Sequence, residues 1–211
     1  MEQPHSNVTD NKKYADSLFS ALFADEQYRQ DILSLYNYLT GTSSATVDDI
    51  QIVTIKDVIY LGRKNDFSFL IGEETLNLWE EQSTINPNMP LRGLLYFAKQ
   101  LDGYIHLHRI NLYSSSLQKI PTPKYVVFEF GRARGPAKRE LRLSDMFASN
   151  VPGDIEVKCT VYNISRGKNQ ALMSACKLLQ DYTALVEQIK TRIRKCGHND
   201  LTKLNKNSPT S

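Results

Sequence analysis

Apolar positions recur along this chain in two rhythms, and the switches between them mark out its elements. From Tyr14, Leu18, Leu22, Ile32, Leu35 and Leu39 return at roughly helical spacing, with Phe19 and Phe23 adding bulk. The pattern breaks around Ala24-Asp25-Glu26 and ends at Gly41, a residue type that commonly stops a helix. After a polar connection over 43–49 the rhythm shortens. Segments 50–55, 58–61, 67–71 and 75–79 are β-rich and bounded by polar clusters, so each is expected to be a strand. Residues 84–89, with Asn-Pro-Asn, read as a loop. Pro90 suits the first turn of a helix that continues with an apolar stripe of Leu91, Leu94, Leu95, Ala98 and Leu101.

Pro121 and Pro123 close the next connection, and 125–130 reads as a buried strand. Residues 132–139 form a basic loop containing Gly and Pro, and 155–164 alternates like another strand. Leu172, Ala175, Leu179, Tyr182, Val186, Ile189 and Ile193 lie three or four apart, the pattern of an amphipathic helix. Beyond Gly197 the composition turns to Asn, Lys, Ser, Thr and Pro, which predicts a disordered tail. There is no internal repeat. The order predicts an α/β fold in which a mixed central β-sheet is flanked by helices. The expected organisation is a flexible N-terminus over 1–12, one domain over 13–196 and the tail over 197–211.

Composition narrows this picture only a little. The 211 residues suit one domain, and a hydrophobic share of 41% is ample for a core. A net charge of +3 is compatible with a polyanionic partner without arguing for one. No apolar run has the length to cross a bilayer, and the N-terminal stretch lacks the apolar segment of a secretory signal. Cys159, Cys176 and Cys196 form no CxxC pair and read as free thiols, so the expected location is cytoplasmic, with no membrane partner.

The stretch with candidate chemistry runs from Lys64 to Ser83. It reads as a hairpin connected through Gly72-Glu73-Glu74. If Ile71 faces Thr75, then Leu70 faces Leu76, Ser68 faces Leu78, Asp66 faces Glu80 and Lys64 faces Gln82. These residues share one side of the sheet, and Phe67, Phe69 and Ile71 take the other. Directly opposed Cβ atoms lie about 4.5–5.5 Å apart, where like charges destabilise. A divalent cation between the carboxylates would remove that penalty. Mg²⁺ is commonly held by one or two carboxylates, keeping water and phosphate as its other ligands. Gln82 would point to the same place, with an amide able to orient water or a phosphate oxygen. The alternative is a solvated sheet face on which two acids happen to align.

These residues also carry a resemblance. Lys64-Asn-Asp-Phe-Ser-Phe-Leu-Ile71 followed by Glu80-Glu-Gln-Ser-Thr-Ile-Asn-Pro-Asn-Met-Pro-Leu-Arg92 and Leu95-Tyr96 resembles the bacterial recombination-promoting nuclease family, also described as transposase-like. That family belongs to the PD-(D/E)XK nuclease superfamily. The likeness takes in Asp16-Ser-Leu-Phe19, Phe23, Leu39-Thr-Gly41, Ile120-Pro-Thr-Pro123, Leu143-Ser-Asp-Met-Phe147, Tyr162-Asn-Ile164 and Gly167-Lys-Asn169, over roughly residues 12–195.

It implies a restriction-endonuclease-like core with a four-stranded mixed sheet, and a Mg²⁺- or Mn²⁺-dependent endonuclease that hydrolyses phosphodiester bonds in DNA. Asp66 and Glu80 stand for the motif's two acids and Gln82 for the lysine of many wider relatives. Asp16 matches an acid that would reach the same metal; its alternative is an acid favoured near a helix N-terminus. The chain departs from the family at Glu129-Phe130-Gly131, where Tyr-Asn-Gly is frequent, and at Ser20, where a basic residue is frequent. It also looks shortened after the last helix.

The expected partner is DNA, and a homodimer stays open. Arg92, Tyr96 and Lys99 are spaced to share a helix face and to contact phosphate. Arg132 and Arg134, with Lys138, Arg139 and Arg142, would give sequence-independent affinity. Both sets read equally as solvated polar faces. His106-x-His108 lacks a third metal ligand, and Trp79 reads as core. A shortened, catalytically inactive module that binds DNA or protein is the competing reading, and an RNase with the same site is a third.

Overall fold

The computed structural model describes residues 18–53, 66–131 and 134–206, with backbone alone for 66 and 193–206. The expectations for the flexible N-terminus, Asp16, the strand over 58–61, Lys64 and Arg132 lie outside the described residues. Helix α1 covers 18–23. The chain then turns where the pattern breaks. Asp25 Oδ1 accepts from the backbone N–H of Gln27 (3.1 Å) and so caps a short 3-10 turn, Glu26–Tyr28. Helix α2, Arg29–Thr40, ends at Gly41, whose φ of 70° lets its N–H reach the Asn37 carbonyl.

Strands β1 (Ile50–Ile52), β2 (Asp66–Ile71) and β3 (Thr75–Gln82) lead into α3 (Met89–Leu107). Then come β4 (Thr122–Glu129), β5 (Lys138–Arg142), β6 (Lys158–Asn163), α4 (Gln170–Ala175) and α5 (Lys177–Lys206). The six strands form one mixed sheet in the order β1-β2-β3-β4-β6-β5. β3, β4 and β6 run parallel, and the remaining pairs are antiparallel. No helix among the described residues is long and apolar enough to cross a membrane.

Three expectations need correction. The basic loop over 132–139 contains the start of a strand, β5, in which four of five residues are charged; an edge position tolerates them. The last amphipathic helix divides at Cys176, whose extended backbone (φ −140°, ψ 107°) separates α4 from α5. Finally, α5 passes Gly197 and continues to Lys206 through the expected disordered tail. One glycine costs a helix about 1 kcal/mol, and Leu201 and Leu204 continue the apolar spacing of Ile189 and Ile193.

The sheet is covered on both faces. On one, Phe19, Phe23, Ile32 and Leu35 from α1 and α2 join Leu172, Leu179 and Tyr182 from α4 and α5. They pack over Phe67, Phe69, Trp79 and Phe128. Trp79 stands edge-on to Phe69 and Phe128, with ring centroids 4.7 and 5.9 Å away. On the other face α3 lays Met89, Tyr96 and Phe97 against Leu70, Leu76, Leu78, Tyr125, Val127 and Val161. Each such side chain contributes roughly 1.5–3 kcal/mol by leaving water.

Candidate active site

The β2–β3 hairpin turns at Gly72, whose φ is 50°, and its register is the one the alternation predicts. Ile71 pairs with Thr75, Leu70 with Leu76, Ser68 with Leu78, and Asp66 with Glu80. Leu70, Leu76 and Leu78 lie in the core beneath α3, while Phe67 and Phe69 lie in the other, so the two faces divide as expected. Asp66 therefore occupies the backbone position opposite Glu80 on the α3 side.

Glu80 is 0% exposed. A buried carboxylate needs charge compensation and hydrogen bonds, and Glu80 has both. Its Oε1 accepts from the Tyr125 hydroxyl at 2.6 Å. Its Oε2 lies 2.8 Å from Arg92 Nη2 and accepts from Gln82 Nε2 at 3.4 Å. Burial is the largest influence on Arg92 and works against its charge, but the Glu80 charge, the Tyr96 hydroxyl at 3.4 Å and Tyr125 together outweigh it. The guanidinium pKa ends above its ordinary value. Burial, followed by the Glu80 charge, pushes the Tyr125 hydroxyl well above its ordinary value, which keeps it a donor. The same two causes raise the Cys159 thiol, so it is no nucleophile.

The helix approaches this cluster closely because Gly93 allows it. A Cβ added there would sit 2.4 Å from Tyr125 Cε1. Two turns further along, Gln100 Nε2 donates to the Ser68 hydroxyl. These contacts explain why α3 buries Gly93, Tyr96, Phe97 and Gln100 while Leu91 and Leu95 of the leucine stripe are 42% and 50% exposed. A polar side chain with a buried partner can face inward.

A second acid lies near the first. Glu129, 2% exposed, accepts two 2.7 Å bonds from Arg139. It pairs in register with Gln82 on one side and Asn163 on the other. A polar row thus crosses the C-terminal ends of the three parallel strands. Asn163 Oδ1 accepts from the Ser165 N–H (3.1 Å), and its amide reaches the Pro136 carbonyl (3.3 Å).

The expected contact residues are distributed differently from the simple helix-face reading. Arg92 points inward to Glu80. Tyr96 is 2% exposed and its hydroxyl meets Arg92, so it stands behind the arginine on this face. Lys99 is exposed, as is Arg134. Arg139 and Arg142 pair with Glu129 and Glu140 within the protein rather than standing on a basic loop. His106 bonds the Asp102 carbonyl and His108 stacks on Tyr104, each a local contact. Tyr125 and Gly93 were missed from sequence, and Glu129 and Arg139 were noted there only as a departure from the family and as part of a basic run, not as a pair. Glu129 inside an apolar strand and Gly93 inside a helical pattern were the available signals.

Among the described residues no three His, Cys, Asp or Glu side chains converge; the Asp66 carboxylate is not among them. Glu80 carries two carboxylate oxygens with the Gln82 amide beside them, donor types that a hard cation takes, and the backbone of Asp66 is paired opposite Glu80. A carboxylate accepts at about four lone-pair sites, so Glu80 can keep its bond to Tyr125 while ligating. No family model, no curated protein and no solved structure matches the chain.

Proposed function

We propose that this chain is a Mg²⁺- or Mn²⁺-dependent DNA endonuclease of the recombination-promoting nuclease type. The observation that carries the reading is the register of Asp66 opposite Glu80, with Gln82 hydrogen-bonded to Glu80. The element order supports a restriction-endonuclease-like core: α2, antiparallel β1–β2–β3, α3, then β4 parallel to β3. On it β6 and β5 extend the sheet.

Asp66 and Glu80 would hold the cation, and Asp16 would assist. Bound there, a divalent ion supplies activated water and neutralises charge developing on the phosphoryl group. Tyr125 fixes the rotation of the Glu80 carboxylate. Gln82 positions the attacking water or a phosphate oxygen. The walls of the site are the apolar residues of α3 and β4, which keep bulk water from Glu80.

The test is nicking of supercoiled plasmid in Mg²⁺ by the full chain. Asp66→Ala and Glu80→Ala are each expected to lose at least about a hundredfold, the upper end of the loss on removing a metal site's supporting partner. Equal nicking by all three proteins would remove this site from the chemistry. A non-catalytic DNA- or protein-binding module is the second reading, favoured by the ion pair with Arg92, which satisfies Glu80 without a cation. DNA retention without cutting in any divalent ion would select it.

A further inference from the structure

The two oxygens of Glu80 are held by different kinds of donor. Oε1 meets a neutral hydroxyl, Tyr125, which orients the carboxylate without cancelling its charge. Oε2 meets the Arg92 guanidinium, which cancels it, and the Gln82 amide. Arg92 reaches in from the first turn of α3. It also meets the Tyr96 hydroxyl at 3.4 Å and the Met89 sulfur at 3.6 Å, both on the same helix. If Arg92 withdrew from Oε2, Tyr125 would still hold Glu80 in place. The Arg92 side chain also keeps 15% exposure where that of Glu80 has none, so it connects the buried acid to the surface.

We propose that Arg92 is a resident counter-ion that a divalent cation must displace from Glu80, and that the displaced guanidinium then serves as a phosphate anchor. This inference rests on the nuclease reading of the same site. Two like-charged groups cannot share one buried carboxylate without loss, and a planar guanidinium suits a phosphate as well as it suits a carboxylate. The exchange keeps Glu80 compensated at every stage: by Arg92 when the cation is absent, by the cation when it is bound. It also couples cation binding to substrate binding, because the charge released from Glu80 becomes available to DNA.

The test is calorimetric titration of the full chain with Mn²⁺ in the absence of DNA. Arg92→Ala is expected to bind the ion at least about tenfold more tightly than wild type, since an opposite charge at this range biases a carboxylate by roughly one to three decades. Arg92→Lys, which keeps the charge, is expected to stay near the wild-type affinity. Unchanged or weaker binding by Arg92→Ala would overturn the inference while leaving the nuclease reading intact. No binding by wild type or by Arg92→Ala would sink both.

A measurement on wild type alone guards against a variant that misfolds. In arginine-labelled protein the Arg92 Nε–H resonance, assigned through Arg92→Lys, is expected to shift on adding Mg²⁺. A resonance that stays in place while the ion binds would equally overturn the exchange.

Discussion

Glu80 carries its charge where water does not reach, so every donor around it contributes to folding as well as to the proposed chemistry. Tyr125→Phe leaves Oε1 without its 2.6 Å partner. Loss of that bond to a buried acceptor costs about 1–3 kcal/mol, seen as a lower urea midpoint, and under the proposed nuclease function it slows nicking because the carboxylate is freer to rotate. A midpoint equal to wild type would show that the bond is not maintained in solution.

Thiol chemistry gives an independent check on the same interior. Burial raises the Cys176 thiol to about 12 and raises Cys159 as well, so both are expected to resist alkylation at pH 8 in native protein and to react once it is unfolded. Peptide mass spectrometry reads the two sites separately.

At the surface, Glu156 accepts from the Ser144 hydroxyl and from the N–H groups of Ser144 and Leu143. These bonds, the Ser144 hydroxyl foremost, hold its pKa below the ordinary 4.5. Its stabilisation is present above 4.5 and disappears as pH falls through the lower folded value, because the unfolded chain takes up the proton first. Glu156→Gln is therefore expected to lower the melting temperature at pH 7 and to leave it unchanged near pH 2.

Among the elements, α3 decides the shape of the site, and it does so through a residue with no side chain. Gly93→Ala would improve intrinsic helix propensity by about 1 kcal/mol. The added methyl, 2.4 Å from Tyr125, must nevertheless push helix and strand apart. Overpacking of that kind costs about 1–3 kcal/mol, so net destabilisation and impaired nicking are expected. A more stable Gly93→Ala protein would mean that the ring of Tyr125 moves aside at little cost. By contrast, Leu95→Lys, on the exposed stripe, should change stability by no more than about 0.5 kcal/mol.

The same helix shows what the sequence revealed and what it withheld. The β2–β3 register was readable because a three-residue connection at Gly72 sets Ile71 opposite Thr75, and the side chains then divide between the two faces. The inward face of α3 was not, because counting leucines takes no account of Arg92 and Gln100 finding Glu80 and Ser68 inside. β5 was missed for a related reason. Lys-Arg-Glu-Leu-Arg looks like a loop until β6 offers it an edge and Glu129 takes up Arg139.

For the molecule as a whole, the pairing of arginines with acids inside the fold has a consequence for DNA. The chain carries a net charge of +3, yet Arg92, Arg139 and Arg142 are each engaged with an acid of the same fold. Without divalent ion, affinity for duplex DNA is expected to be no tighter than ordinary non-specific binding, roughly 10⁻⁶ M at physiological salt, and to weaken further as salt rises. Fluorescence anisotropy on a labelled duplex measures it. Tight, salt-insensitive binding would require a surface other than the one described.

The solitary tryptophan, Trp79, sits one residue before Glu80 on the opposite side of the same strand, sealed among Phe23, Phe69 and Phe128. Its emission should be blue in the native protein and move to the red on denaturation. Events at Glu80 reach it only through the backbone of β3. A spectrum that stays constant while Mn²⁺ binds would indicate that the sheet is a rigid partition between chemistry and core, and a spectrum that moves would report the strand itself giving way.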